Sequence, residues 1–237
     1  MLYGTAAVAA VAMLLAAPLG IGAAIFSAEF LPPRPRMVLK VAVELLAGIP
    51  SVVYGLLGIL LLRDIVYDSL QVAGFDPLSG DTLLTAGLLL SIMLLPTVMT
   101  LADDALRAVP ASQRQAARGL GLTRSETVLS VTLPQAWRGL VAAVMLALGR
   151  ALGEMIAVFL VIGRQDNQLP ENLFSLAPLL GAGQTLATKL GGPETHIAYG
   201  DSVHWGAMMG LGLLLLIVVT LCTLCGARLG GRADFDA

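Results

Sequence analysis

Five apolar stretches, each about as long as a bilayer is thick, limit what this chain can fold into. They run from about Leu2 to Phe26, Val43 to Leu62, Thr82 to Leu101, Leu140 to Ile162 and Val203 to Ala227. A helix needs roughly 20 apolar residues to cross the hydrocarbon core. No water reaches a peptide group there, so each stretch must satisfy its own backbone as a helix. Charged residues make up 13% of the chain, about half the usual share of a soluble domain. The expected fold class is all-α: a polytopic transmembrane bundle of about five spans, forming one domain over residues 1–237. The first stretch lacks a basic leader and is long for a signal core, so it reads as a retained span.

Prolines and glycines mark the bends. Pro18, Pro50 and Pro96 lie inside apolar stretches, where neighbouring helices or water can satisfy the freed carbonyls. Pro32 to Pro35 forbid a continuous helix between the first two spans. Gly149-x-x-x-Gly153 and Gly206-x-x-x-Gly210 have the spacing that lets membrane helices approach closely. The segment 164–202 is too long for a plain connection, and its apolar part, LFSLAPLLGAGQTLATKL, predicts a short re-entrant or interfacial helix.

Charge orients the chain. Arg34, Arg36 and Lys40 follow the first span; Arg107, Arg114, Arg118, Arg124 and Arg138 lie between the third and fourth; Arg228 and Arg232 end the chain. These are ten of the fourteen basic residues. The opposite side holds Arg63, Arg164 and Lys189 among the acids Asp64, Asp68, Asp76, Asp81, Asp166, Glu171, Glu194 and Asp201. The positive-inside rule then puts the N-terminus outside, and the C-terminus and residues 103–137 in the cytoplasm. Asp103 and Asp104 read as a solvated end of the third span, and Glu44 as interfacial. The net charge of −2 gives no reason to expect a nucleic-acid partner.

Gln115 to Pro134 is the longest charge-rich stretch. Ser112 with Gln115 reads as a capping box that starts a short helix, which Gly119 and Gly121 end. Thr123 with Glu126 reads as a second box, starting a helix that runs toward Leu133 until Pro134 ends or bends it. Ala116, Ala117, Leu120 and Leu122 would form a small apolar face rimmed by arginines, suited to a groove on a partner protein. A DNA-reading helix-turn-helix has similar spacing but could not work with both ends tethered to membrane spans. A plain topogenic loop is the simpler alternative, though two capping boxes and a glycine turn are more order than it needs.

Arg150 and Glu154 fall near the middle of the fourth span. A central Arg costs about 2.5–3.5 kcal/mol on insertion scales. At i, i+4 on one helix the two would share a face and pair. Two readings stand side by side: a structural lock between helices, or a pathway site where Arg150 meets an oxyanion and Glu154 holds it when empty. Arg suits phosphate oxygens through its bidentate geometry. Arg164 and Lys189 are weaker candidates for receiving an anion at the outer mouth.

Nothing calls for an enzyme, a cofactor or a metal. There is no Walker A, HExxH or GxSxG pattern and no paired Asp set in the spans. Cys222 and Cys225 share one helical face in an apolar run and read as packing; His196 and His204 read as solvated.

Gln115-Ala116-Ala117, then Gly121, Val131 and Leu133-Pro134, resembles the EAA loop of ABC importer permeases, with Gln115 for the usual Glu and Val131 for the usual Ile. The strings ELLAGIPSVVYGLLG, PLGIGAAIFSAEF and LALGRALGEMIAVFLVIG are similar to the phosphate permeases of the Pst system, nearer the PstC than the PstA branch. That family usually has six spans, and this chain starts at what would be the second. The resemblance implies the MetI-like fold of a binding-protein-dependent inner membrane component, multi-pass in a bacterial or archaeal cytoplasmic membrane. It implies ATPase coupling through Gln115, Ala116, Ala117, Gly121, Leu133 and Pro134, and phosphate passage past Arg150 and Glu154. The implied partners are a cytoplasmic ABC ATPase dimer, a second permease subunit, an extracytoplasmic phosphate-binding protein and the lipid membrane. Sulfate, molybdate or an amino acid as substrate, and a non-transporting scaffold, are the alternatives. Against the scaffold stands the cost of a buried Arg150–Glu154 pair with nothing to use it.

Overall fold

Where these helices continue and where they stop depends on what surrounds each proline. The computed structural model describes residues 1–75, 79–165, 177–192, 195 and 200–231. Asp76, Asp166, Glu171, Glu194, His196 and Arg232 lie outside the described residues. Four helices are long and apolar enough to cross a membrane: Leu2–Phe30, Leu83–Arg107, Arg124–Gly153 and Ser202–Gly230. A fifth span is reached if Pro33–Ala47 and Ser51–Val72, bent by 88°, count as one. The fold is the all-helical membrane bundle that the apolar stretches predict.

Pro18 and Pro96 sit inside continuous helices. Pro50 does not: it is the N-cap of Ser51–Leu57, in extended conformation. Gly48 closes the preceding helix with its N–H on the carbonyls of Glu44 and Leu45. The expected second span, Val43 to Leu62, is therefore corrected to an elbow, because Gly48 and Pro50 lie close enough together to unwind the whole turn. The distal arm then runs on to Val72.

Pro134 gives the opposite correction. The helix from Arg124 neither ends nor breaks there but continues to Gly153. A π-helical turn, Val128–Thr132, ends just before Leu133, the proline's neighbour, with the Leu133 N–H bonded back to the Val128 carbonyl. A proline ring normally clashes with the carbonyl four residues earlier. The wider π turn makes room for it.

The chain forms two compact units. The first comprises Met1–Leu15, Ile49–Met93 and Leu148–Thr220. Here Ser51–Leu57 packs on the short helix Ile156–Val161. A Cβ at Gly55 would stand 2.5 Å from Leu160 Cδ1 and 3.2 Å from the Ala157 Cα, so glycine lets the two helices approach closely. The described part of the 164–202 segment supplies a helix at Leu186–Leu190, opened by a capping box between Thr185 and Thr188. Leu186, Ala187, Thr188 and Lys189 are all buried. The Leu186 N–H donates to Thr5 Oγ1 at 2.9 Å.

The second unit comprises Ala16–Gly48, Leu94–Ala147 and Leu221–Ala237. Its core gathers Ala24, Val43, Met99, Ala102, Leu106, Val109, Ala136 and Leu140. Small side chains let helices come close: a Cβ at Gly139 would meet the Ala105 Cβ at 2.7 Å. The spacing motifs had pointed elsewhere. Gly153, Gly206 and Gly210 have open space where a Cβ would stand, so within the described chain these motif glycines mediate no close approach. Spacing identifies a small-residue face but not whether a neighbour covers it.

Candidate functional site

Two places concentrate polar chemistry, one in each unit. In the second unit a nine-residue helix, Ala111–Gly119, follows the long Leu83–Arg107 helix. Its N-cap is Pro110, with no side-chain cap. The box expected between Ser112 and Gln115 is thus corrected: Pro110, fixed near φ −58°, starts the helix before Ser112 can cap it. At the other end the Leu122 N–H bonds to the Ala117 carbonyl and the Gly121 N–H to that of Arg118. This double closure needs a left-handed residue, and Gly121 supplies it at φ +90°. The second box forms as expected: Glu126 N–H donates to Thr123 Oγ1 at 3.3 Å, and Thr123 N–H to Glu126 Oε2 at 2.8 Å.

The two short helical segments fold against each other through Ala111–Gly119 and Arg124–Thr132. Gln115 and Ala116 face outward, and Leu120 is 83% exposed. Ala117 does not share that face. It is buried against its own chain, because the hairpin turn brings the second segment over it. Leu122 is half-buried. Leu133 packs on the unit's core, and Pro134 is exposed. Pro134 lines a cleft of about 910 Å³ with Pro110, Gln113, Trp137 and Arg138.

Charged pairs brace this element, and sequence reading missed them. Asp103, expected in solvent, is buried. It accepts from Arg36 Nη2 at 2.9 Å and pairs with Arg107 Nε at 2.8 Å. Glu29, only 3% exposed, pairs with Arg114 Nη1 at 2.7 Å. Arg114 also donates to the carbonyl of Leu106. The i, i+4 spacing of Asp103 and Arg107 was a usable signal. So was the isolation of Glu29, the one acid at the end of a long apolar run.

In the first unit the structure separates the residues that spacing had paired. The helix carrying Arg150 ends at Gly153. Glu154 and Met155 form a break, and the next helix begins at Ile156. Arg150 and Glu154 form no ion pair with each other in the structure, so the i, i+4 pair is corrected. Glycine destabilises a helix interior, and Gly153 is where this one stops. Glu154 Oε1 instead accepts from the Ala157 N–H at 3.5 Å, at the start of the new helix. Arg150 is exposed in the last turn of its helix, where a cation complements the macrodipole. Its charge acts on the hydroxyl of Tyr54, a buried residue of the distal elbow arm. Arg164 lies over the Phe159 ring, 4.8 Å from its centre. Lys189 is buried in the Leu186–Leu190 helix.

Residues 16–233 match the family of binding-protein-dependent transport system inner membrane components, and the chain belongs to that family. It is the membrane permease component of an ABC transporter and not itself a catalytic subunit.

Among named relatives, the phosphate transport system permease protein PstC of Mesorhizobium japonicum is 37% identical, over 93% of this chain and 69% of its own length. The probable ABC transporter permease YqgH of Bacillus subtilis is 38% identical, over 98% and 71%. Among solved structures, a chain of the inward-facing MetNI methionine ABC transporter superposes with a TM-score of 0.67. It is 20% identical, covering 98% of this chain and 93% of that one. A chain of an amino acid ABC transporter gives 0.60 at 17% identity, over 98% and 91%. At these identities the two structures speak for the fold alone.

Proposed function

We propose that this chain is a permease subunit that moves inorganic phosphate into the cell, driven by ATP hydrolysis on a separate subunit. The observation that carries the substrate is its similarity to phosphate permeases across almost the whole chain. The arrangement around Arg150 is compatible with it. A guanidinium standing at a helix break, unpaired by Glu154, is available to the oxygens of a phosphate. Glu154, tied to the next helix, flanks the path and repels the anion onward.

On this reading Ala111–Gly119 lies in the cytoplasm and docks into a groove of an ABC ATPase dimer through Gln115, Ala116 and Leu120. Gly121 shapes the turn, Ala117 seats the helix on its own chain, and Leu133 and Pro134 lie within the Arg124–Gly153 span that follows it. The N-terminus is outside and the C-terminus cytoplasmic. The Ser202–Gly230 helix, only 6% buried in its apolar window, leaves room for lipid and a second permease subunit. An extracytoplasmic binding protein delivers the phosphate.

The test is uptake of labelled phosphate, sulfate and molybdate by a strain deleted for this gene and complemented with it. Phosphate uptake restored alone supports the reading. Sulfate or molybdate uptake restored in its place refutes it.

A further inference from the structure

We propose that Glu29 is a positioning residue that locks the docking helix to the end of the Leu2–Phe30 span, so that the two move as one body. The proposal rests on the docking reading of Ala111–Gly119 above. It starts from the five-residue π-helical turn Phe26–Phe30. Such turns are rare and are frequently found at functional sites.

Three arginines from three different elements grip this one turn. Arg36, from the Pro33–Ala47 helix, donates to the Ala28 carbonyl at 3.3 Å. Arg114, from the docking helix, pairs with Glu29 at 2.7 Å. Arg124, which opens the next helix, lies over the Phe30 ring at 5.8 Å from its centre. Two of these arginines also reach the Leu83–Arg107 helix: Arg36 through Asp103 and Arg114 through the Leu106 carbonyl.

A surface ion pair would be too weak and too mobile to carry a push. This one differs because Glu29 is almost wholly buried. Removing either partner strands a charge away from water, so the pair stays closed. A push on Ala111–Gly119 therefore reaches the Leu2–Phe30 span through a short, stiff link, without passing through the non-helical connection at 108–110. Rigid-body transmission of this kind needs contacts that do not yield.

The experiment uses the complex purified from its native host through a tag on this chain, in a Cys222→Ser, Cys225→Ser background. Spin labels are placed at Leu19 and Gln113, both exposed. Their distance is measured without nucleotide and with ATP plus vanadate. The expected result is one narrow distance, unchanged between the two states. In E29Q the distance broadens and shifts with nucleotide, while E29D keeps the wild-type behaviour. Phosphate moved per ATP hydrolysed falls about tenfold or more in E29Q, as expected when a buried ion pair loses one partner, with the ATPase still bound.

A wild-type distance that changes with nucleotide overturns the proposal, and so does an E29Q complex with unchanged distance and unchanged transport ratio. If E29Q fails to assemble, the wild-type distance alone decides. Docking itself is judged separately: a bulky Ala116→Trp that leaves the ATPase bound refutes the docking reading but does not touch the distance result.

Discussion

Arg150 lies in the last turn of the helix that ends at Gly153, while Glu154 lies in the break beyond it and its carboxylate accepts from the Ala157 N–H. Their separation leaves the guanidinium facing open space. A charge in a membrane span with no carboxylate partner among the described residues is costly, and on the function proposed above it meets the passing anion.

Replacing Arg150 by Ala should therefore cut phosphate uptake by roughly ten- to a hundredfold, the worth of one charge-assisted hydrogen bond at about 1.5–3 kcal/mol. Assembly should be intact. Uptake assays paired with co-purification of the ATPase check both halves. A variant that no longer assembles would show instead that Arg150 holds the fold.

The two faces of the Ala111–Gly119 helix should respond differently to bulk. Ala116→Trp, on the exposed side, should release the ATPase and leave the chain's thermal stability unchanged. Ala117→Trp should lower stability by about 1–3 kcal/mol, since it overfills a buried site. Thermal unfolding in detergent and co-purification separate the two; equal effects at both positions would contradict the burial of Ala117.

Capping offers a contrast with an internal control. Thr123→Ala removes a formed capping box and should destabilise the start of the Arg124–Gly153 helix by about 0.5–2 kcal/mol. Ser112→Ala removes no cap and should change nothing. Amide hydrogen exchange over 111–132 reads both, and faster exchange in Ser112→Ala would reinstate the first box.

Helix approach can be tested in the same way. Gly139→Val should destabilise by about 1–3 kcal/mol through overpacking against Ala105. Gly210→Val should leave the stability of the isolated chain unchanged, because no described residue stands near that position. If Gly210→Val alone disrupted subunit pairing, that face would belong to a partner rather than to this chain.

What could be read from the residues alone was what the backbone demands locally. A peptide in hydrocarbon must bond to its own helix, so the runs around Leu2, Leu83, Leu140 and Val203 declare themselves as helices. Capping is equally local, and Thr123 with Glu126 was legible for that reason. The spacing of Gly121, Leu133 and Pro134 carried the family. The tertiary structure decided whatever depends on a partner far along the chain. Pro96 and Pro134 pass through helices while Pro50 makes an 88° elbow, because neighbouring turns either absorb the proline or fail to. Asp103 and Glu29 are buried since Arg36 and Arg114 arrive from other elements to neutralise them. Gly139 makes the close approach and Gly210 does not, although the sequence treats both as small. A long-range neighbour leaves no periodic trace in the sequence, and only the packed chain shows which charges meet.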